Sequence, residues 1–459
     1  MVLCDRCLSV TNSLENISPL DGRYQQQVKE LTAFFSESAL MRYRVMVEVE
    51  YLIALGDEKR IKELPPFPKT EQAKLRKIYE QFNSAAAQKT KEIETTTNHD
   101  VKAIEYYLQG RVKKSLHPWI HFALTSEDVN NLAYALMWQD GMKLSYISVL
   151  HKVLSRMKSF GRRYKELPLL GLTHGQPATP TSLGKEFTVF ASRLQRQHQQ
   201  LKSHQLQGKM SGATGTWAAH AAAYPNVNWF SFSKRFVKSL GLEPNLITTQ
   251  IESNDSLAES YHNLIRVNTI LLDFCRDVWH YISRGVFGQK TKSGEVGSST
   301  MPHKVNPIHF ENAEGNLGIA NAYLSHLAQT LPVSRMQRDL SGSTVIRNQG
   351  VPLAHSLLAC KNILVGLERL TVNRKKIREE LNEHCEVLAE AIQTILRKTG
   401  DPQPYERLKK MTRGQKITRE DIMEFVQSLN LPDNERNVLL NLSPENYTGL
   451  SARIVEEMS

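Results

Sequence analysis

Apolar residues recur along this chain at helical spacing, over spans too long for strands. Between Pro118 and Pro168, a stripe runs through Val129, Leu132, Ala133, Leu136, Met137, Leu144, Ile147, Leu150, Leu154 and Met157. A second runs between Pro244 and Pro302 through Tyr261, Leu264, Ile265, Leu271, Cys275, Val278, Ile282 and Val286. A third proline-free interval separates Pro352 from Pro402. Proline in a helix interior removes a hydrogen bond and clashes with the preceding turn, so these intervals are where long helices run. Thr179-Pro180, with threonine as N-cap and proline in the first helical position, predicts another long helix reaching about Lys209.

Sustained period-two alternation is absent, as are internal repeats and low-complexity linkers. The predicted fold is mainly α, with a central bundle of very long helices; a helix of about 30 residues spans about 45 Å. Turn-rich stretches divide the chain into three helical domains. Residues 1–117 form the N-terminal one, entered through Ser18-Pro-Leu-Asp-Gly-Arg-Tyr24 and broken near Pro65, Pro66 and Pro68. Residues 118–367 hold the long helices, and 368–459 form a C-terminal helical domain rich in Glu, Lys and Arg.

Composition narrows the class. With 41% hydrophobic and 23% charged residues among 459, the chain reads as soluble and globular, large enough for several domains. No stretch approaches the roughly 18 uncharged apolar residues of a membrane span, and the N-terminus has no secretory core. Five scattered cysteines give no disulfide framework, so a reducing cytoplasm is expected. Cys4 and Cys7 form a lone C-x-x-C with no second half. His117 and His121 are spaced i, i+4 but enclose Pro118 and lack an acidic H-E-x-x-H pattern, which favours a structural role. Neither metal nor cofactor is expected. The net charge of +11 suits a pocket for a small polyanion. It would also suit nucleic acid, but the cations are dispersed, so no nucleic-acid partner is expected.

The segment Gly294-Glu-Val-Gly-Ser-Ser-Thr-Met-Pro-His-Lys-Val-Asn-Pro307 is a polar run that neither helix nor strand tolerates. Glycines at 285, 288, 294 and 297 suit a loop that closes over a ligand. This segment closely resembles the signature of the fumarase/aspartase superfamily, whose members eliminate fumarate from a succinyl-type substrate. The resemblance implies Ser298 as general base, with Ser299 holding substrate and Lys304 and Asn306 stabilising a carbanion spread into a carboxylate. The chemistry fits: a serine alkoxide abstracts such a proton only where donors and positive charge suppress its pKa. Leu172-Thr-His-Gly-Gln-Pro-Ala-Thr-Pro180 resembles the superfamily's second signature and implies His174 as the acid that protonates the departing nitrogen.

Other segments resemble the adenylosuccinate lyase family, in its long bacterial form. They are Ser18–Tyr24, Thr96-Thr-Asn-His-Asp100, Thr125-Ser126-Glu-Asp128, Thr248-Thr-Gln-Ile-Glu252 and Arg335-Met-Gln-Arg-Asp-Leu-Ser-Gly-Ser-Thr-Val-Ile-Arg347. The resemblance implies cleavage of adenylosuccinate to AMP and fumarate, and of SAICAR to AICAR and fumarate. It implies His99 assisting the acid or binding substrate, Gln250 on the succinyl part and Asn312 on the nucleotide side. Arg23, Tyr24, Asn98, Asp100, Thr125, Ser126, Arg338, Ser343, Thr344 and Arg347 would complete the substrate contacts. A substrate with one phosphate and two carboxylates needs such cationic and hydroxyl donors, since the chain has no phosphate-binding glycine loop. An N-capping cluster at 98–100 is compatible with this role. The resemblance further implies a homotetramer with active sites shared between subunits. Argininosuccinate lyase stays open as an alternative, though its substrate lacks the phosphate. So does a catalytically retired helical scaffold, against which the retained Ser298, His174, Lys304 and Asn306 argue.

Overall fold

The structure is a computed structural model and describes residues 15–291, 294, 301, 304–412 and 417–458. Cys4, Cys7, Ser298 and Ser299 lie outside the described residues. Among those described, helices dominate, with only short strands. The elements that matter here are helix α1 (Glu37–Asp57), α2 (Asp100–Gln109), α3 (Ser126–Gly141) and α4 (Ile147–Arg163). Strands β1 (Pro168–Thr173) and β2 (Gln176–Ser182) follow, then α5 (Leu183–Ser203) and α6 (Asp255–Ser283). Last come α7 (Ile308–Thr330), α8 (Ser341–Ile346) and α9 (Gly350–Arg369).

The first two proline-free intervals hold the long helices that the stripes predict. In the first, α3 and α4 are joined by a π turn, Met142–Tyr146. Its extra residue rotates the side chains out of phase. Leu144, expected in the buried stripe, is therefore 68% exposed, and Tyr146 is 0% exposed in its place. In the third interval α9 is followed by a short strand, Leu370–Val372, and shorter helices.

By contacts the chain forms two compact units: 1–150, 197–269 and 315–360 make the first, and 151–196, 270–314 and 361–459 the second. The sequential division at 117 and 367 is a separate proposal about domain order. Within the first unit, Phe35, Trp138 and Tyr261 form an edge-to-face chain, with centroids 6.3 Å and 4.8 Å apart. Phe35 lies against Gly141 and Gly350, where an added Cβ would come within 2.5 Å and 2.6 Å of its ring. Around these rings polar atoms are paired: Trp138 Nε1 donates to Ser260, Tyr261 Oη to Gln349, and Gln349 Nε2 to the Tyr134 carbonyl. The apolar run Ser341–Arg369 has a mean hydropathy of 1.3 in its best window, 61% of it buried inside the protein. Arg347 and Lys361 interrupt this run, so it holds no 18 consecutive uncharged residues.

In the second unit, Phe160 stacks on Phe187 at 4.0 Å, and Phe274 and Phe287 meet Phe187 edge-on. Four C-terminal helices (Ala389–Lys398, Pro404–Thr412, Arg419–Ser428, Asp433–Leu440) close over Ile392, Leu396, Leu408, Ile422, Val426 and Leu439. The helix expected to start at Thr179-Pro180 starts later, at Leu183. His174 and Gly175 both take positive φ, 54° and 72°, the geometry of a two-residue hairpin turn that folds β2 back on β1. Pro180 then sits in a two-stranded ribbon, and the Ser182 hydroxyl accepts the Lys185 N–H at 3.2 Å to open α5.

Helices α4 and α5 touch backbone to backbone. A Cβ on Gly184 would lie 2.2 Å from the Gly161 carbonyl oxygen and 2.5 Å from the Lys165 nitrogen. Gly184→Ala should therefore force the helices apart and cost about 1–3 kcal/mol, read as a lower urea midpoint. An unchanged midpoint would contradict this contact.

Candidate active site

The first unit contains a polar cavity of about 300 Å³. Its walls come from distant stretches: Arg44 of α1, His99 and Asp100 at the start of α2, the first turns of α3, residues 251 and 254, and residues 331–347. Each wall has a local cause. Asn98 ends the preceding helix, Ser84–Thr97, in the left-handed conformation at φ 49°, which asparagine tolerates well. The next residue, His99, caps α2: its Nδ1 accepts the Lys102 N–H at 3.1 Å. Neutral His99 thus carries its proton on Nε2. Helix α3 opens with a capping box between Thr125 and Asp128, which fixes Ser126 and Glu127 at the cavity.

Two charge clusters organise the cavity. Asp100 Oδ2 takes Arg44 Nη2 at 2.7 Å and Arg347 Nη2 at 2.8 Å, while Arg44 Nε also donates to Asn130 at 2.9 Å. Burial would raise the Asp100 carboxyl, but the Arg44 and Arg347 guanidiniums outweigh it and hold the group at about 2. Arg338 bonds Gln250 Oε1 at 3.0 Å and pairs with Glu127 Oε2 at 3.2 Å. Burial lifts the Glu127 carboxyl above its ordinary value despite Arg338. Asp339 is held at about 2 by the Ser341 hydroxyl and the backbone N–H groups of Arg335 and Ser341. Arg347 is 48% exposed, and a guanidinium carries five N–H donors, so it can still receive an external anion.

Of the residues singled out from sequence, His99, Asp100, Ser126, Arg338, Ser343 and Arg347 line this cavity, and Gln250 contacts Arg338. Thr125 supports it through the capping box. Arg23, Tyr24, Asn98 and Thr344 do not line it; Arg23 instead lies over the Tyr24 ring at 6.0 Å. His174, Lys304, Asn306 and Asn312 belong to the second unit. There His174 is exposed at the hairpin turn, and the Lys304 N–H bonds the Met301 carbonyl at 3.0 Å. Arg44, Glu127, Asn130, Tyr134, Asn254 and Asp339 also line the cavity and were not among the expected site residues. Arg44 left one signal, a charge in the mostly apolar Leu40–Val49 stretch together with Arg42 and Glu48. Of these, Glu48 binds His121 Nδ1 at 2.5 Å.

Long-helix folds of this kind are shared with a Mesorhizobium sp. fumarate lyase (TM-score 0.75, 18% identity, 94% of this chain and 97% of that one). A Pseudomonas putida 3-carboxy-cis,cis-muconate lactonizing enzyme is similar at TM-score 0.73 and 22% identity, covering 94% and 96%. Residues 22–320 match the family described as Lyase, and 334–448 match Adenylosuccinate lyase C-terminal. The adenylosuccinate lyase of Haemophilus influenzae is 47% identical over 98% of this chain and 99% of its own length. That of Escherichia coli is 47% identical over 97% and 99%, and that of Dictyostelium discoideum 48% over 96% and 97%. The chain belongs to the adenylosuccinate lyase family and is a carbon–nitrogen lyase.

The Asp100 cluster makes a prediction for pH. Its folded-state carboxyl sits below the ordinary value, so its contribution is complete above about pH 4 and is lost as pH falls through about 2. Asp100→Asn should cost about 2 kcal/mol or more at pH 7, because Arg44 stays buried without its counter-charge. The gap to wild type in urea titrations should hold down to about pH 4 and narrow below it. A gap that closes already between pH 7 and 5 would contradict the assignment.

Proposed function

We propose that this enzyme cleaves adenylosuccinate to AMP and fumarate, and SAICAR to AICAR and fumarate, in the cytoplasm. The observation that carries the reading is the cavity itself: in a chain of this family, Arg44, Arg338 and Arg347 converge on one polar space. A substrate bearing a phosphate and two carboxylates needs donors of this type, and Ser126 and Ser343 add hydroxyls to the same walls.

In this reading Ser298, as alkoxide, takes the proton from the succinyl carbon next to the one that bears nitrogen. The electron pair moves into the adjoining carboxylate, where Lys304 and Asn306 stabilise it and Ser299 helps hold the group. That pair then returns to form the C=C bond of fumarate as the C–N bond breaks; the C–N pair goes to the departing nitrogen, and His174 supplies the proton. His99, in the cavity wall, assists the acid or binds substrate. Gln250 and Asn312 contact the succinyl and nucleotide parts. Arg23, Tyr24, Asn98 and Thr344 remain substrate contacts in this proposal. Asp100 acts on the substrate through Arg347, which it orients.

The same reading makes the protein a homotetramer in which each site draws segments from more than one subunit. Supporting it, long helices leave apolar side chains exposed: Trp279 on α6, Ile319 and Tyr323 on α7, and Val365 on α9.

Ser298→Ala and His174→Ala should each lower kcat by about 100- to 10,000-fold. Dissociated and reassembled together, the two inactive variants should regain activity, because mixed tetramers hold sites with an intact serine and histidine from different chains. A mixture no more active than its parents, or a stable active monomer in light scattering, would overturn the shared-site model. Arg338→Ala should act mainly on KM, raising it about tenfold or more, since ground and transition states carry the same anion. A loss confined to kcat would contradict that role.

A further inference from the structure

Beneath Arg338 lies an ion pair with almost no solvent access. Lys209 is 0% exposed and Asp128 1%, with Lys209 Nζ 3.0 Å from Asp128 Oδ1. Lys209 Nζ also donates to the Gly212 carbonyl at 3.0 Å. Asp128 accepts the Thr125 N–H at 2.9 Å, the Ser211 N–H at 2.9 Å and the Gly212 N–H at 3.1 Å. Asn131 closes the arrangement by accepting the Lys209 N–H at 2.8 Å and donating to the Lys209 carbonyl at 3.0 Å. One carboxylate therefore ties the first turn of α3 to the 209–213 loop.

Each of these two segments presents one support of Arg338. Glu127 is the neighbour of Asp128 on α3 and pairs with Arg338 Nη2. Gln250 accepts from Arg338 Nη1, and its own Nε2 donates to the Ala213 carbonyl at 2.8 Å, one residue beyond Gly212. The loop is also pressed on the Gln250 segment: a Cβ on Gly215, which has φ +77°, would lie 2.1 Å from the Thr248 carbonyl oxygen. Burying two charges costs several kcal/mol per ion, and apolar residues of similar volume often serve stability as well or better. A buried pair at this point is better explained by position than by stability.

We propose that Lys209 and Asp128 are positioning residues: by locking the α3 turn to the 209–213 loop they aim the Arg338 guanidinium, and so set the affinity of the cavity for the anionic end of its ligand. This rests on the reading of Arg338 as an anion ligand. The test crosses the double variant Asp128→Asn/Lys209→Met, which leaves no unpaired buried charge, with Arg338→Ala. Adenylosuccinate kinetics and calorimetric binding of AMP are the readouts. The double variant should raise KM and the AMP Kd about tenfold while kcat stays within about twofold, and it should add nothing further on the Arg338→Ala background. Lys209→Arg, which keeps the charge, should fold even if the double variant does not, and should show a smaller rise with the same dependence on Arg338. An equal rise with and without Arg338, or a loss of activity with KM and Kd unchanged, would make the pair merely structural and overturn the proposal. If wild-type protein binds no AMP, the Arg338 reading itself falls and the proposal with it.

Discussion

One carboxylate fixes the geometry of the cavity. Asp100 lies between Arg44 of α1 and Arg347, the C-cap of α8, and Arg44 is only 3% exposed. A guanidinium buried to that degree without a counter-charge would be strongly destabilising, so α1, α2 and α8 come together where these charges meet. Arg347, held by the same pairing, lines the cavity and is 48% exposed. The donors are therefore oriented before any ligand arrives, which is the condition under which electrostatic stabilisation is most effective.

The rest of the cavity repeats that logic on different elements. Arg338 is braced by Glu127 and Gln250, and those in turn by the Asp128–Lys209 pair. His99 serves as N-cap of α2 through Nδ1, a backbone role that fixes its tautomer and ring direction. Structural and chemical roles coincide in these side chains, which is how a cavity of about 300 Å³ keeps several charges at fixed spacing.

Much of this was legible in the sequence, and the parts that were not have physical causes. Proline placement and apolar period located the long helices, because both act locally. The π turn at Met142–Tyr146 was invisible, since one inserted residue shifts phase without changing composition. The β1–β2 hairpin was misread because Thr179-Pro180 satisfies the local rule for a helix start; the positive φ of His174 and Gly175 overrides it by turning the chain back. At the cavity, His99, Asp100, Ser126, Arg338, Ser343 and Arg347 were found from segment resemblance and lie together. Arg44 and Lys209 were not found. Each is a cation buried within or beside apolar sequence, and its partner lies far along the chain, so only the folded structure pairs them.

Family membership and fold leave the choice of substrate to the anion site, where Arg44, Arg338 and Arg347 line one cavity. The most direct measurement is fumarate release by the purified protein from adenylosuccinate, SAICAR and argininosuccinate in parallel. The account predicts turnover of the two phosphorylated substrates and none of argininosuccinate. Turnover of argininosuccinate, or of none of the three, would contradict it.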